Sequence, residues 1–240
     1  MRGLGLGAMS KVALWALLGT AIVSLGDIAT TQLASRAVTA AESAQYAHVI
    51  VPSKTIYDNT QLVYMLPQSL VTTSIITALF TRMSEKAAAG DRRGVRDDLS
   101  LGLRSVAVFT ILFAAGIGTL ATPSLQLFVP SLSLAEATAA GPILAVLAVG
   151  IIFQGIWFTT QRVMLAYADT KRLLIADSVV GIVPAIVCLV AYLATPANHW
   201  MTWAAVGSML SQVGGSVAVI PLIRRHLPDL DGPRVIATYA

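Results

Sequence analysis

The chain has 240 residues, of which 56% are hydrophobic and only 12% are charged, and its mean hydropathy is +0.75. Water-soluble domains carry about 25% charged residues, so this composition excludes a soluble protein and indicates a polytopic membrane protein. The net charge of +4 is explained by basic residues that flank membrane spans, and we therefore expect the membrane, and no nucleic acid, as its surroundings.

Six apolar stretches are long enough to cross a bilayer, since about 20 residues are needed to span about 30 Å as a helix. A helix also satisfies its own backbone hydrogen bonds in lipid, and no stretch shows the period-two alternation of a barrel strand. We predict an all-α fold: one transmembrane domain of six helices, followed by a short cytoplasmic tail at 224–240. The predicted spans cover approximately residues 12–33, 59–81, 101–122, 138–160, 173–194 and 201–223.

The distribution of lysine and arginine predicts the orientation. With six spans, every basic residue except Arg36 and Lys54 falls on the side that holds both termini. Cytoplasmic loops carry an excess of basic residues, so we predict a multi-pass protein of the bacterial plasma membrane with both termini in the cytoplasm. Residues 82–100 then form a charged cytoplasmic loop, with a short surface helix within 85–99. Its basic residues are Arg82, Lys86, Arg92, Arg93 and Arg96.

The first predicted span contains an acidic residue, Asp27, in the stretch VSLGDIATTQL. Ionisable residues inside a span are costly and therefore point to a function. A carboxylate at this position could hold a cation or a proton, or it could pair with a basic residue on another helix. If the span ends near Gly26, Asp27 lies among the lipid headgroups instead. Asp27 is our candidate for ion or proton coupling.

Two other acidic residues lie near predicted span ends. Asp58 precedes span two, where a short polar side chain can cap a helix N-terminus. Asp177 lies one turn beyond Arg172 and is expected to snorkel to the interface or to pair with Arg172 or Lys171.

Span two carries a stripe of hydroxyl groups. The residues Ser69, Thr72, Thr73 and Thr77 recur at helical spacing, and Pro67 precedes them at a possible kink. Such a stripe fits a helix that lines a hydrated cavity, as transporter helices do. Hydrogen bonding between helices explains the same residues equally well.

Enzyme active sites are not indicated. The three histidines are scattered without ligand spacing, and the single cysteine, Cys188, lies in an apolar run and is expected to be a packing residue. No nucleophile has a base beside it. We therefore predict no enzymatic activity, no metal site and no cofactor.

Two stretches resemble the MurJ (MviN) family of bacterial lipid II flippases. The first runs from YDNTQLVYMLP to GDRRGVRDDL and matches the family at Leu66-Pro67, 77–80, 82–84 and 87–91. The second is LAYADTKRLLI, which is similar to the family's helix junction at Tyr167, Asp169, Thr170 and Lys171. The resemblance implies the second six-helix lobe of a two-lobed transporter, with an actinobacterial style of sequence.

The family resemblance implies a function in cell-wall synthesis. The expected substrate is an undecaprenyl-linked peptidoglycan precursor, moved by alternating access, and the expected partner is a first-lobe chain or a second copy of this chain. The family's arginine before the leucine-proline is absent from NTQLVYMLP, so no headgroup-binding arginine is assigned. A non-transporting scaffold or regulator of the cell-wall machinery is the alternative, as is a flippase half for another lipid-linked sugar.

Overall fold

A computed structural model of the chain describes residues 6–69 and 73–227. Within these ranges the chain is helical apart from short loops, and it contains no β-strand. The helices are α1 (Leu6–Ala41), α2 (Lys54–Pro67), α3 (Thr73–Ala88), α4 (Arg92–Thr119), α5 (Ala121–Phe128), α6 (Leu134–Ala166), α7 (Thr170–Ala194) and α8 (Trp200–His226).

Five helices in the described ranges, α1, α4, α6, α7 and α8, are long and apolar enough to cross a bilayer. The second predicted span, 59–81, corresponds to two shorter helices, α2 and α3, that flank residues 70–72. Residues 70–72 lie outside the described ranges, as does the predicted tail beyond 227. The all-α, polytopic membrane fold is confirmed, whereas six crossings remain a prediction.

Several helices extend beyond the predicted spans. Helix α1 continues to Ala41, so the helix itself does not end near Gly26. Helix α2 begins at Lys54, and its N-cap is Ser53, whose Oγ accepts a hydrogen bond from the backbone N–H of Ile56. The prediction that Asp58 caps this helix is therefore wrong. Because the helix starts earlier, Asp58 lies within it and forms an ion pair with Lys54 at 2.7 Å.

The bundle has two buried apolar clusters, one toward each end. One cluster joins the last turns of α3, α6 and α8 to the first turns of α4 and α7, with Met83, Leu99 and Ile223 at its centre. We call this the basic end, because the basic side chains of α3, α4, α7 and α8 cluster here, among them Arg82 and Arg172. The second cluster, at the opposite end, joins the last turns of α1, α4 and α7 and the first turns of α6 and α8 to α2 and α5.

Glycines allow the backbones of α1, α7 and α8 to approach closely. A Cβ atom at Gly181 of α7 would overlap the carbonyl of Ile22 in α1. A Cβ at Gly207 of α8 would lie 3.1 Å from the Cα of Pro184 in α7, and one at Gly215 would lie 2.7 Å from a methyl group of Val180. The sequence spacing of Gly207 and Gly215 predicts close packing of this kind.

The basic residues of the predicted loop at 82–100 lie on helices α3 and α4. Helix α3 continues to Ala88 and α4 begins at Arg92, so the connection is only residues 89–91. Gly90, at a φ of 73°, makes the turn, and the Asp91 side chain caps α4 by accepting from the N–H of Gly94. The expectation of a charged loop at 82–100 with a separate surface helix is therefore wrong. Gly94 does not break the helix, because the Asp91 cap starts α4 ahead of it.

Reporter fusions test how the chain is threaded. A fusion at Gly90 is expected in the cytoplasm and one at Pro196 in the external compartment, because the two turns lie at opposite ends of the bundle. Alkaline phosphatase and green fluorescent protein fusions at both positions measure this directly. Both fusions reporting the same compartment would contradict six crossings.

Candidate functional site

A polar cavity of about 370 Å³ lies between α1, α2, α6, α7 and α8. Charged, amide and hydroxyl side chains line it, although the surrounding helices are mostly apolar. These polar residues are Asp27, Thr30, Thr31, Lys54, Tyr57, Asp58, Gln61, Gln154, Ser208, Ser211 and Gln212.

Asp27 lies at the centre of the 29-residue apolar stretch Ala13–Ala41 and faces this cavity. A Cβ on the preceding Gly26 would meet the carbonyl of Gly181 and the ring of Pro184 at 3.2–3.3 Å, so α1 is in close contact with α7 here. This contact fixes Asp27 at the level of the middle of α7. Asp27 forms no ion pair among the described residues, and Lys54, the cavity's cation, is paired with Asp58.

The cavity is rich in hydrogen-bond acceptors. The Gln61 Nε2 donates to the Tyr57 hydroxyl at 3.0 Å, which lies 3.4 Å from the Ser208 hydroxyl. The amide oxygens of Gln61 and Gln212 are buried without a hydrogen-bond partner. A buried amide oxygen without a donor costs about 1–3 kcal/mol, so the arrangement favours a cation, a proton or water as its occupant.

The amides Gln61, Gln154 and Gln212 were not among the residues predicted from the sequence. Gln154 and Gln212 lie inside apolar spans, and Gln154 is buried. The rule that singles out Asp27, a polar group within a span, applies to them as well. A neutral amide within a span is a weaker signal than a charge, because it costs less to bury.

The hydroxyl stripe of span two lies elsewhere. Ser69, Thr73 and Thr77 are exposed and absent from the cavity lining, and Thr72 lies outside the described residues. Each of the three hydroxyls donates to a carbonyl three to five residues earlier in its own segment: Leu66, Gln68 and Thr73, respectively. All three bonds are local in sequence, and the Thr73 bond joins the start of α3 to the C-cap of α2. Whether this exposed face lines a second cavity in a larger assembly stays a prediction.

The predicted basic residues divide into two groups. Arg82 and Lys86 of α3 both bind the buried carboxylate of Asp98 in α4, at 2.9 and 2.7 Å. This shared carboxylate fastens α3 to α4. The other three lie on the first turns of α4: Arg92 and Arg93 are exposed, and Arg96 approaches Asp97 at 3.4 Å.

The junction between α6 and α7, which carries the second family-like motif, is bonded to α8. Asp169 accepts a hydrogen bond from Arg172 at 2.7 Å and bonds with His226 of α8 at 3.0 Å. Burial disfavours the charged carboxylate, but the hydrogen bonds from His226 and Arg172 outweigh it and hold the pKa of Asp169 below its usual value. Arg172 is thereby occupied, and the predicted pairing of Asp177 with Arg172 or Lys171 is not found in the described ion pairs. Asp177 is buried against Gly19 of α1.

Comparison with known families gives one match. The family model described as "Lipid II flippase MurJ" matches residues 1–240. No curated protein and no solved structure matches the chain.

Proposed function

The chain belongs to the MurJ family of lipid II flippases, and from this premise we propose that it moves an undecaprenyl-linked peptidoglycan precursor across the plasma membrane by alternating access. A flippase-type membrane transporter agrees with the five helices of the described residues that are long and apolar enough to cross a bilayer. The lipid-linked cargo and the alternating-access movement are what we propose for this chain.

The observation that carries the proposal is the acceptor-rich cavity around Asp27. Within residues 6–69 and 73–227, a carboxylate without an ion pair and two buried amide oxygens without donors line one cavity among apolar helices. Such groups are expensive inside a membrane, and a protein that only holds other proteins in place has no need of them. A transporter uses them, because binding and releasing a small cation or proton there can bias one conformation over another.

The exposed hydroxyl face provides the surface for the cargo. Ser69, Thr73 and Thr77 keep free lone pairs after donating to their own segment, so water and sugar hydroxyls can bond to them. A charged sugar headgroup cannot cross hydrocarbon unaided, and a wet chamber between two lobes removes that barrier. We propose that this face meets the first lobe, supplied by a partner chain or by a second copy.

The test is rescue of bacteria depleted of their own lipid II flippase. We expect that co-expression of this chain with a six-span first-lobe partner restores exposure of lipid II at the outer face of the membrane. Labelling of lipid II by a reagent that does not cross the membrane measures this. Rescue by this chain alone would favour the second copy as the partner.

The alternative functions predict different results. A scaffold would insert stably and co-purify with cell-wall enzymes without restoring lipid II exposure. A flippase half for another lipid-linked sugar would restore exposure of that lipid and leave lipid II unlabelled. Either result, with stable insertion shown by immunoblot, would contradict the proposal.

A further inference from the structure

Apart from the Oδ2 of Asp98, which lies 2.7 Å from the Lys86 ammonium, the buried side-chain atoms without hydrogen-bond partners in the described part of the chain fall into two groups. The amide oxygens of Gln61, Gln68 and Gln212 are acceptors, and those of Gln61 and Gln212 belong to residues that line the cavity described above. Toward the basic end, the Nε of Arg162 can only donate, and the hydroxyls of Ser84 and Tyr167 can donate as well as accept. Unused donors call for an anion, so this second group points to a ligand of the opposite charge.

Arg162 is the charged member of the donor group. It lies on α6 one turn before the helix ends at Ala166, and its guanidinium is 5.6 Å from the ring centroid of Phe80 in α3. Ser84 follows Phe80 by one helical turn and therefore lies on the same side of α3. An aromatic face, a guanidinium and a hydroxyl thus come together where α3 packs against α6.

The charges at the basic end leave Arg162 without a counter-ion. The buried carboxylate of Asp98 is shared by Arg82 and Lys86, and that of Asp169 by Arg172 and His226. No ion pair of the described residues includes Arg162. Other cations here, such as Arg104, are exposed and can be hydrated, whereas the Nε of Arg162 is buried.

We propose that Arg162 binds the phosphate group of a membrane lipid in the leaflet at the basic end. One turn of helix is about 5 Å, so the guanidinium lies at the boundary between hydrocarbon and headgroups, where lipid phosphates are found. A guanidinium presents paired N–H groups that match phosphate oxygens, and it binds them more strongly than a neutral donor does. Phe80 stacks beside the guanidinium and Ser84 supplies a second donor. This site is separate from the Asp27 cavity and does not depend on transport.

Lipid binding to the purified full chain tests the proposal. We expect Arg162→Gln to weaken the binding of phosphatidylglycerol, of undecaprenyl diphosphate, or of both, about tenfold, because it removes the charge-assisted hydrogen bonds to the phosphate. Diacylglycerol, which has no phosphate, is expected to bind both proteins equally. Native mass spectrometry at graded lipid concentrations measures all three lipids.

Two further variants make the result decisive. Arg104→Gln removes the same charge from an exposed position at the same end and is expected to change binding less than twofold. Arg162→Lys keeps the charge but not the planar donor set, and it is measured in place of Arg162→Gln if that variant fails to insert. If Arg162→Gln weakens the binding of only one of the two phosphate lipids, that lipid is the ligand of the site and the proposal is supported. Equal losses in the Arg162 and Arg104 variants, or an equal loss of diacylglycerol binding, would overturn it.

Discussion

Replacing Asp27 with asparagine is expected to lower the transport of lipid II at least tenfold while leaving membrane insertion unchanged. Asparagine has the same shape as aspartate but carries no charge, so it can hold neither a cation nor a transferable proton. Asp27 has no ion pair in the described structure, and it faces a cavity whose amide oxygens already lack donors. Loss of an interaction worth about 1.5–3 kcal/mol reduces a rate about ten- to a hundredfold if the interaction is made only in the rate-limiting step.

The measurement is lipid II exposure at the outer face in the depleted cells described above. Asp97→Asn is the matched control, because it makes the same chemical change at a position whose side chain is 69% exposed. This control is expected to transport normally. If Asp27→Asn also transported normally at equal membrane abundance, Asp27 would have no part in coupling.

The substitution Gly181→Ala is expected to lower the free energy of unfolding by about 2–3 kcal/mol. The added methyl group would overlap the carbonyl of Ile22 and lie 2.9 Å from the Cα of Val23, so two helix backbones would have to separate. Backbone atoms cannot rotate away as the end of a flexible side chain can. Gly181 therefore fixes the distance between α1 and α7.

Gly116→Ala is the control for this prediction. It adds the same methyl group within α4, where a Cβ would meet no atom within 4 Å. It is expected to leave stability unchanged or to raise it by up to about 1 kcal/mol, because alanine is the better helix former. Thermal unfolding in detergent, followed by circular dichroism, compares both variants with the parent. Equal stability of the two variants would show that α1 and α7 do not pack as closely as described.

The sequence predicts the helices well because length and apolarity are properties of a single segment. Four predicted spans begin and end within ten residues of the helices they correspond to, α4, α6, α7 and α8. The helix ends are less accurate, since they depend on single caps such as Ser53 and Asp91. A candidate cap residue, Asp58, therefore proved to lie inside the helix.

The site is predicted only in part, because it is assembled from five helices. Asp27 is found, since a charge within an apolar stretch is visible without any neighbour. The hydroxyl spacing of span two identifies a shared face but cannot say what that face meets, and Ser69, Thr73 and Thr77 proved to be exposed. The role of Arg82 and Lys86 depends on Asp98, a residue on another helix, which no spacing rule connects to them.

The residues on the two sides of the polar cavity differ in exposure, and this difference bears on which side of the membrane supplies a coupling ion. On the side of the basic end, the buried Trp157, Leu173 and Val219 belong to the apolar cluster of that end. On the other side lie Lys54 and Asp58, whose side chains are 42% and 55% exposed. We infer that Asp27 communicates with one aqueous phase only in this conformation. If the basic end lies inside the cell, as the distribution of lysine and arginine predicts, the opening beside Lys54 and Asp58 faces the external medium, and the occupancy of the cavity would follow the ion concentration there.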